Sequence, residues 1–179
     1  MRVIAGRLGG RRLSSPPRGS RPTSDRVREA LFATLGPVDG LCVLDLFAGS
    51  GALAIEALSR GSARAVLVES DRAAAGTVAA NLSDLGLEGE AELLRGDARG
   101  EAARMAREAE TFDLVFLDPP YAEAAGLVAG LQGSLEQLLA PEGRIVVECD
   151  RRDPPALDLP MVHERRYGDT VIRIHSARE

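Results

Sequence analysis

The stretch Asp45-Leu46-Phe47-Ala48-Gly49-Ser50-Gly51 decides the fold of this chain. It follows Leu41-Cys42-Val43-Leu44, a short apolar run typical of a buried parallel strand. It precedes residues 52–60, in which apolar side chains recur with helical spacing. Two glycines between a strand and a helix allow a tight turn and let a ligand approach the backbone closely. The stretch therefore predicts a strand–loop–helix unit of a parallel α/β sheet.

A second stretch, Leu117-Asp118-Pro119-Pro120-Tyr121, also follows an apolar run, at residues 114–117. It places a carboxylate, two rigid prolines and an aromatic ring at the end of a predicted strand. Ligands of open α/β sheets bind outside the carboxyl ends of the strands. We therefore expect both stretches to face one crevice.

The rest of the chain alternates between strand and helix patterns. Apolar runs at 65–68, 91–94 and 145–147 predict three further strands, with helices between them. Two runs around Tyr167-Gly168-Asp169 predict a terminal antiparallel hairpin, in which His163 and His175 are expected at the surface or the edge. This α/β, doubly wound, mostly parallel arrangement resembles class I S-adenosylmethionine methyltransferases. That resemblance implies seven strands, one of them an antiparallel strand of the C-terminal hairpin.

The first 35 residues are predicted to be a basic extension of a Rossmann-like domain at 36–179. A short β-hairpin at residues 2–13, a linker and a helix from Ser24 or Asp25 to Leu35 make up this extension. Residues 1–28 hold eight arginines and one acid, a net charge of +7 in a chain whose total is −5. A basic arm on an acidic body predicts contact with a polyanion. The expected RNA-binding residues are Arg2, Arg7, Arg11, Arg12, Arg18, Arg21 and Arg26.

The charge of Asp45 distinguishes between two cofactor classes. Residues 49–54 fit the G-x-G-x-x-A pattern of dinucleotide sites, which alone is a weak signal. A pyrophosphate near Asp45 would be repelled by roughly 3 kcal/mol at ~5 Å and an effective dielectric of ~20. S-adenosylmethionine carries a sulfonium and an ammonium but no phosphate, so Asp45 favours it.

Acidic residues at two other predicted strand ends suit the rest of that cofactor. Glu69 lies 24 residues after Asp45, where an acid that binds ribose hydroxyls is expected, and it is preferred over Asp71, a helix-cap candidate. Asp97 can accept a hydrogen bond from the adenine amino group while the backbone N–H of Ala98 donates to the ring. Asp97 can also cap the following helix, and both roles can coexist.

Asp118, Pro119 and Tyr121 are the candidate catalytic residues. An exocyclic amine attacks a methyl group only when its lone pair is freed from conjugation with the ring. A carboxylate and a rigid prolyl carbonyl, each accepting one N–H, favour that geometry. An aromatic ring can stack on the base. The stretch is thus typical of amino-group methyltransferases.

Several motifs together resemble the RsmD family of bacterial methyltransferases, which act on the 2-amino group of a guanine in 16S ribosomal RNA. They are Arg2-Val3-Ile4-Ala5-Gly6, Gly10-Arg11-Arg12-Leu13, residues 21–32, residues 45–51, residues 118–121 and Tyr167-Gly168-Asp169-Thr170. The resemblance implies S-adenosylmethionine as cofactor and the small ribosomal subunit as partner. It also implies that the Arg-Pro-Thr segment closes over the cofactor. The expected cofactor contacts are Thr23, Asp45, Phe47, Ala48, Gly49, Gly51, Glu69, Ser70, Asp97, Ala98 and Asp118.

Two alternative functions stay open at this point. The same chemistry could act on adenine N6 or cytosine N4 of another nucleic acid, since phosphate contacts carry no sequence information. A non-catalytic RNA-binding assembly factor on the same fold is the other alternative. A cytoplasmic protein without metal is expected, because no signal peptide, membrane span or metal-ligand spacing occurs. A monomer is also expected, although the sequence carries no signal for the oligomeric state.

Overall fold

A computed structural model describes residues 1–16 and 24–178 of the chain. Its centre is a seven-stranded sheet in the order β3-β2-β1-β4-β5-β7-β6. The strands are β1 (Cys42–Asp45), β2 (Arg64–Glu69), β3 (Ala91–Arg95), β4 (Phe112–Leu117), β5 (Leu139–Asp150), β6 (Met161–Tyr167) and β7 (Thr170–Ser176). Strands β1 to β5 pair in parallel, and β7 is antiparallel to both of its neighbours. The predicted fold class is confirmed.

Helices cover both faces of this sheet. They are α1 (Asp25–Leu35), α2 (Ala52–Ser59), α3 (Arg72–Leu85), α4 (Ala98–Arg107) and α5 (Ala124–Leu138). The first three share one hydrophobic cluster with one face of the sheet, and α4 and α5 share a second cluster with the other face. Because parallel strands are buried on both sides, their carboxyl ends form the edge that is open to ligands.

Capping residues fix the ends of the helices that lead to this edge. The Ser24 side chain accepts from the backbone N–H of Val27 at the start of α1. Asp71 accepts from the N–H of Ala74 at 2.8 Å at the start of α3, and Gly86 ends this helix in the left-handed conformation. Side-chain caps of this kind satisfy N–H groups that have no partner within the helix.

The N-terminal hairpin is attached to α2 by hydrogen bonds. Within the hairpin, the N–H of Val3 donates to the carbonyl of Arg11 at 2.9 Å. The buried carboxylate of Glu56 accepts from the N–H groups of Ile4 at 2.7 Å and Ala5 at 3.0 Å. Val3 and Leu13 are buried in the same cluster as α1 to α3. The division of the chain into units 1–35 and 36–179 stays a prediction.

Two details differ from the sequence-based expectations. Strand β5 begins at Leu139 rather than at 145, because Leu139 already pairs with Phe112. The register then shifts to Leu114 opposite Arg144, and Glu142 has a left-handed conformation (φ 64°) in the irregular part between these two pairs. The expectation that His175 lies at the protein surface or at the edge of the sheet is wrong. It is buried, and its Nδ1 lies 3.0 Å from the carbonyl oxygen of Leu159. Strand β7 is covered on both faces, since successive residues such as Ile174 and His175 point to opposite faces and both are buried.

Candidate active site

The loop at residues 46–51 lies at the carboxyl edge of the sheet and is held there by its backbone. The N–H of Leu46 donates to the carbonyl of Phe116 at 3.2 Å, and the N–H of Ala48 donates to the carbonyl of Val68 at 3.0 Å. Gly49 and Gly51 both have positive φ angles, of 57° and 80°. These conformations favour glycine, as the sequence predicted for a tight turn.

The space in front of Gly49 is open. A Cβ atom added to Gly49 would meet no atom of the described residues (1–16 and 24–178) within 4 Å. A Cβ on Gly51 would instead lie 3.2 Å from side-chain carbons of Ile55 and Leu67. Gly49 thus presents bare backbone to the crevice, while Gly51 packs against the core. This combination suits a ligand that approaches the loop closely.

Glu69 fixes the loop from the end of β2. Its Oε2 accepts from the N–H of Gly49 at 2.8 Å, and its Oε1 accepts from the N–H of Asp71 at 2.8 Å. Each carboxylate oxygen can accept a further hydrogen bond. The predicted ribose-binding role of Glu69 is therefore compatible with its position, and Asp71 is a helix cap. The sequence did not predict that Glu69 also holds the loop.

Asp45 ends β1 directly below the loop and is buried, with 1% of its surface exposed. The pKa of Asp45 is raised to about 7, chiefly by burial and also by the neighbouring Glu69, although hydrogen bonds from the backbone of Phe47 and Ala54 act in the opposite direction. A cation close to Asp45 would favour the ionised form. The open cradle at Gly49 and the two acids therefore fit a cationic methyl donor such as S-adenosylmethionine better than a pyrophosphate.

The remaining predicted cofactor residues lie at neighbouring strand ends. Asp97 is exposed, follows β3 and caps α4, since its Oδ2 accepts from the N–H of Gly100 at 3.0 Å. Ala98 is buried in the first turn of α4, Ser70 is exposed after β2, and Phe47 is half-buried against the second hydrophobic cluster. Thr23 lies outside the described residues.

Asp118 follows β4, two residues beyond the partner of Asp45 in the parallel register (Asp45↔Phe116). The structure thus brings the two predicted acids together at adjacent strand ends. Asp118 is partly exposed and Pro119 is buried. Burial and the neighbouring carboxylates of Glu148 and Asp45 raise the pKa of Asp118 well above its ordinary value. Tyr121 begins a short 3-10 turn, and its side chain lies outside the described part of the structure.

Glu148 is a site residue that the sequence-based reasoning missed. It is buried in β5, beside Asp118, because β4 and β5 pair with Leu117 opposite Val147. One signal could have revealed it. Three of the four predicted strands before it are followed directly by an acid, namely Asp45, Glu69 and Asp118, and Glu148 likewise follows the apolar run 145–147. The interpretation of this run as a plain core strand left that acid without a role.

The predicted RNA-binding arginines of the described hairpin and α1 are exposed. Arg2 lies 3.4 Å from Asp25, and Arg7 lies 2.5 Å from Glu90. Arg2 and Arg12 also line a groove of about 590 Å³ between the hairpin and the start of α1. Exposed ion pairs contribute little to stability, so these guanidinium groups can exchange a carboxylate for a phosphate. Arg18 and Arg21 lie outside the described residues.

Among the residues that the structure describes, no group of three or more histidine, cysteine or acidic side chains is arranged to hold a metal ion. None of their helices is long and apolar enough to pass through a lipid bilayer.

The chain matches known proteins over nearly its whole length. The family model described as "Conserved hypothetical protein 95" matches residues 1–176. Ribosomal RNA small subunit methyltransferase D of Escherichia coli is 43% identical over 155 residues, which cover 84% of this chain and 75% of that protein. YlbH of Bacillus subtilis is 41% identical over 183 residues, covering 99% of this chain and 100% of YlbH.

A solved structure agrees with these sequence matches. The structure of yhhF from Escherichia coli superposes with a TM-score of 0.86 at 36% identity, covering 99% of this chain and 98% of that one. Fold, sequence and the motifs at residues 45–51 and 118–121 all agree with the resemblance. The chain therefore belongs to the RsmD-like family, whose model is described as "Conserved hypothetical protein 95".

Proposed function

We propose that this protein is an S-adenosylmethionine-dependent methyltransferase of ribosomal RNA that methylates the N2 amine of a specific guanine in the 16S rRNA of the small subunit. One observation carries the proposal. Asp118 of the Asp-Pro-Pro-Tyr stretch lies next to Asp45 of the glycine loop, at the ends of adjacent parallel strands. An amine-binding carboxylate is thus placed beside a cradle that suits a cationic cofactor.

The names of the relatives support ribosomal RNA as the substrate. The Escherichia coli relative with 43% identity is named ribosomal RNA small subunit methyltransferase D. The arginines exposed on the hairpin are suited to an RNA backbone, because guanidinium groups bind phosphate with two parallel hydrogen bonds. A non-catalytic assembly factor would have no need for two acids with raised pKa values, Asp45 and Asp118, at adjacent strand ends.

The chain's own residues would act by positioning. S-adenosylmethionine, when bound, supplies an electrophilic methyl group. The carboxylate of Asp45 would attract the positive charge of the cofactor. Glu69 would bind the ribose and Asp97 the adenine. The backbone of Gly49 would allow the cofactor to approach the loop closely. Asp118 and the carbonyl of Pro119 would each accept one N–H of the target amine, which frees the nitrogen lone pair. Such oriented electrostatic partners account for much of the rate in comparable sites.

The decisive test is methyl transfer by the purified protein to small ribosomal subunits from a strain that lacks the modification. Mass spectrometry of the digested 16S rRNA should find N2-methylguanine at one site. Asp118→Ala should reduce single-turnover transfer by roughly 10²–10³-fold, the scale for one oriented partner. Its cofactor affinity should fall far less than its rate of transfer, because Asp45, Glu69 and Asp97 are retained.

The outcomes separate this proposal from its alternatives. Detection of methylated adenine or cytosine, and not of methylguanine, would change the assigned target base. A protein that binds the small subunit but transfers no methyl group would be an assembly factor. Near-normal turnover by folded Asp118→Ala would remove the Asp-Pro-Pro-Tyr stretch from the mechanism.

The cofactor is tested separately by thermal unfolding. S-adenosylmethionine or S-adenosylhomocysteine should raise the melting temperature, because a ligand that binds only the folded state stabilises it. NAD should leave the melting temperature unchanged. A shift with NAD and none with the methyl donor would contradict the cofactor assignment.

A further inference from the structure

We propose that Asn81 is a positioning residue that makes the N-terminal hairpin part of the cofactor site, because it fixes the loop at residues 46–51 to the chain that leaves the hairpin. Asn81 lies in α3, outside the motifs at residues 45–51 and 118–121. The inference rests on the proposed function, since it concerns the site assigned to S-adenosylmethionine. It gives the hairpin a role besides the binding of RNA.

The Asn81 side chain bonds to two segments that are distant in sequence. Its Oδ1 accepts from the backbone N–H of Ser14 at 2.8 Å. Its Nδ2 donates to the carbonyl of Ser14 at 3.0 Å and to the carbonyl of Ser50 at 2.9 Å. Ser14 directly follows the hairpin at residues 2–13, and Ser50 lies between the two glycines of the loop. Asn81 therefore links the hairpin to the loop through three hydrogen bonds.

The contact with Ser14 fixes the direction in which the amide group of Asn81 points. A backbone N–H can only donate, so the amide oxygen must face the N–H of Ser14. The amide nitrogen then faces the Ser50 carbonyl, and both of its hydrogens are used. Asn81 is 2% exposed, so its amide is shielded from solvent. Without Ser14, two of the three bonds would be lost, and the amide would be free to turn its oxygen towards the Ser50 carbonyl, which would repel it.

The bond to Ser50 holds one peptide group of the loop. The peptide that joins Ser50 to Gly51 has its carbonyl bonded to Asn81, and its N–H donates to the carbonyl of Ala48 at 2.6 Å. Both polar groups of this peptide are thus fixed. Without the Asn81 bond the peptide could rotate, because the flanking glycines tolerate several backbone conformations. A loop that is already ordered binds its ligand more tightly, since no ordering is needed on binding.

The residue type at position 81 agrees with this role. Asparagine is a poor helix former, and a buried amide is unfavourable unless it is hydrogen-bonded. The neighbours of Asn81 on the same face of α3 are the buried apolar residues Val78, Leu82 and Leu85. An apolar side chain at position 81 would suit this face, but it would leave the carbonyl of Ser50 without its donor.

The first test is the binding of S-adenosylhomocysteine to the unchanged protein and its variants, measured by calorimetry without RNA. Asn81→Ala should weaken binding about tenfold, the scale of one net hydrogen bond. Ser14→Pro should have a similar effect without any change in α3 or the loop, because proline lacks the N–H that orients the amide. The bonds to Asn81 use only the backbone of Ser14, so Ser14→Ala is the matched control and should bind normally.

Single-turnover methylation separates a role in cofactor binding from a general loss of structure. In Asn81→Ala and Ser14→Pro, the rate at saturating S-adenosylmethionine should stay within about twofold, because Asp118 is untouched and only binding is weakened. The concentration that gives half of this rate should rise about tenfold, as the affinity falls. A loss of the saturated rate without a change in the half-saturating concentration would overturn the proposal. Normal affinity in both folded variants would also overturn it.

A second measurement needs neither cofactor nor RNA. Hydrogen exchange at the amide of Gly51 should be faster in Asn81→Ala and Ser14→Pro than in the unchanged protein and Ser14→Ala, because the loop opens more readily. Unaltered protection of Gly51 in folded Ser14→Pro would show that the hairpin does not hold the loop. If the unchanged protein bound no methyl donor or product, the proposed function would be contradicted instead, and the exchange of Gly51 would still decide whether Asn81 joins the hairpin to the loop.

Discussion

At the scale of single residues, Asp45 links the site to the stability of the fold. Burial raises its pKa to about 7, whereas an aspartate in an unfolded chain titrates near pH 4. Between these values the folded protein holds a proton that the unfolded chain has lost. The contribution of Asp45 to the free energy of unfolding is therefore fully present below about pH 4 and is lost as pH rises to about 7.

This linkage gives a testable prediction for Asp45→Asn. The amide does not titrate, so the free energy of unfolding of the variant should decrease less between pH 4 and pH 8 than that of the unchanged protein. Urea unfolding at a series of pH values, without ligand, measures both curves. Parallel curves would show that Asp45 does not titrate in this window. Asp39→Asn, at an exposed loop position, is a suitable control.

The acids that the sequence revealed are those at the ends of clear apolar runs. Asp118 stands out because two prolines follow it directly, and Asp45 because it opens the loop that contains Gly49 and Gly51. Glu56 gave no such signal, because an acid in an alanine-rich helix usually faces solvent. Its burial follows from a hairpin that is distant in sequence and covers it. Glu148 was missed because the strand pattern around it does not show which neighbour it meets. Contacts between distant segments decide both positions.

At the scale of elements, the hairpin and α2 depend on Glu56. Its carboxylate accepts two backbone N–H bonds from the hairpin and pairs with Arg60 at 2.7 Å. Glu56→Ala would leave these buried N–H groups without their acceptor. Removing one partner of a buried charged network costs about 3–5 kcal/mol. We expect a loss of stability of this order.

Chemical denaturation measures that loss, and hydrogen exchange locates it. The amides of Ile4 and Ala5 should exchange faster in Glu56→Ala, ahead of those in β1 and β4. Glu29→Ala, an exposed acid on α1, should change neither quantity. Unaltered protection of the two hairpin amides would mean that Glu56 does not hold the hairpin.

Element boundaries were predictable where local chemistry sets them. The helix predicted between the strands at 65–68 and 91–94 is α3, and its ends at Arg72 and Leu85 follow from the cap by Asp71 and the stop at Gly86. The start of β5 was not predictable, because Pro141-Glu142-Gly143 has the composition of a turn. The burial of His175 was missed for a related reason. A strand covered on both faces lacks the alternation of apolar and polar residues by which exposed positions are recognised in a sequence.

At the scale of the whole molecule, charge is divided between a basic hairpin and an acidic body. If the hairpin binds the RNA backbone, Arg12→Ala should weaken binding to small subunits and make its salt dependence shallower. The slope of log affinity against log salt should decrease by about one, because one phosphate contact is lost. Affinity measured at several salt concentrations tests this. Arg107→Ala, an exposed arginine at the far end of α4, should leave the slope unchanged.

The position of β7 inside the sheet has a consequence for how the protein is made. β7 is the last strand in the chain, yet it lies between β5 and β6. Until β7 has left the ribosome, β5 exposes an unpaired apolar edge and β6 has no partner in the sheet. Such edges invite pairing with other chains. Loss of the final strand would detach two strands rather than one, so a prematurely terminated chain would be prone to aggregation even though its entire catalytic edge has been synthesised.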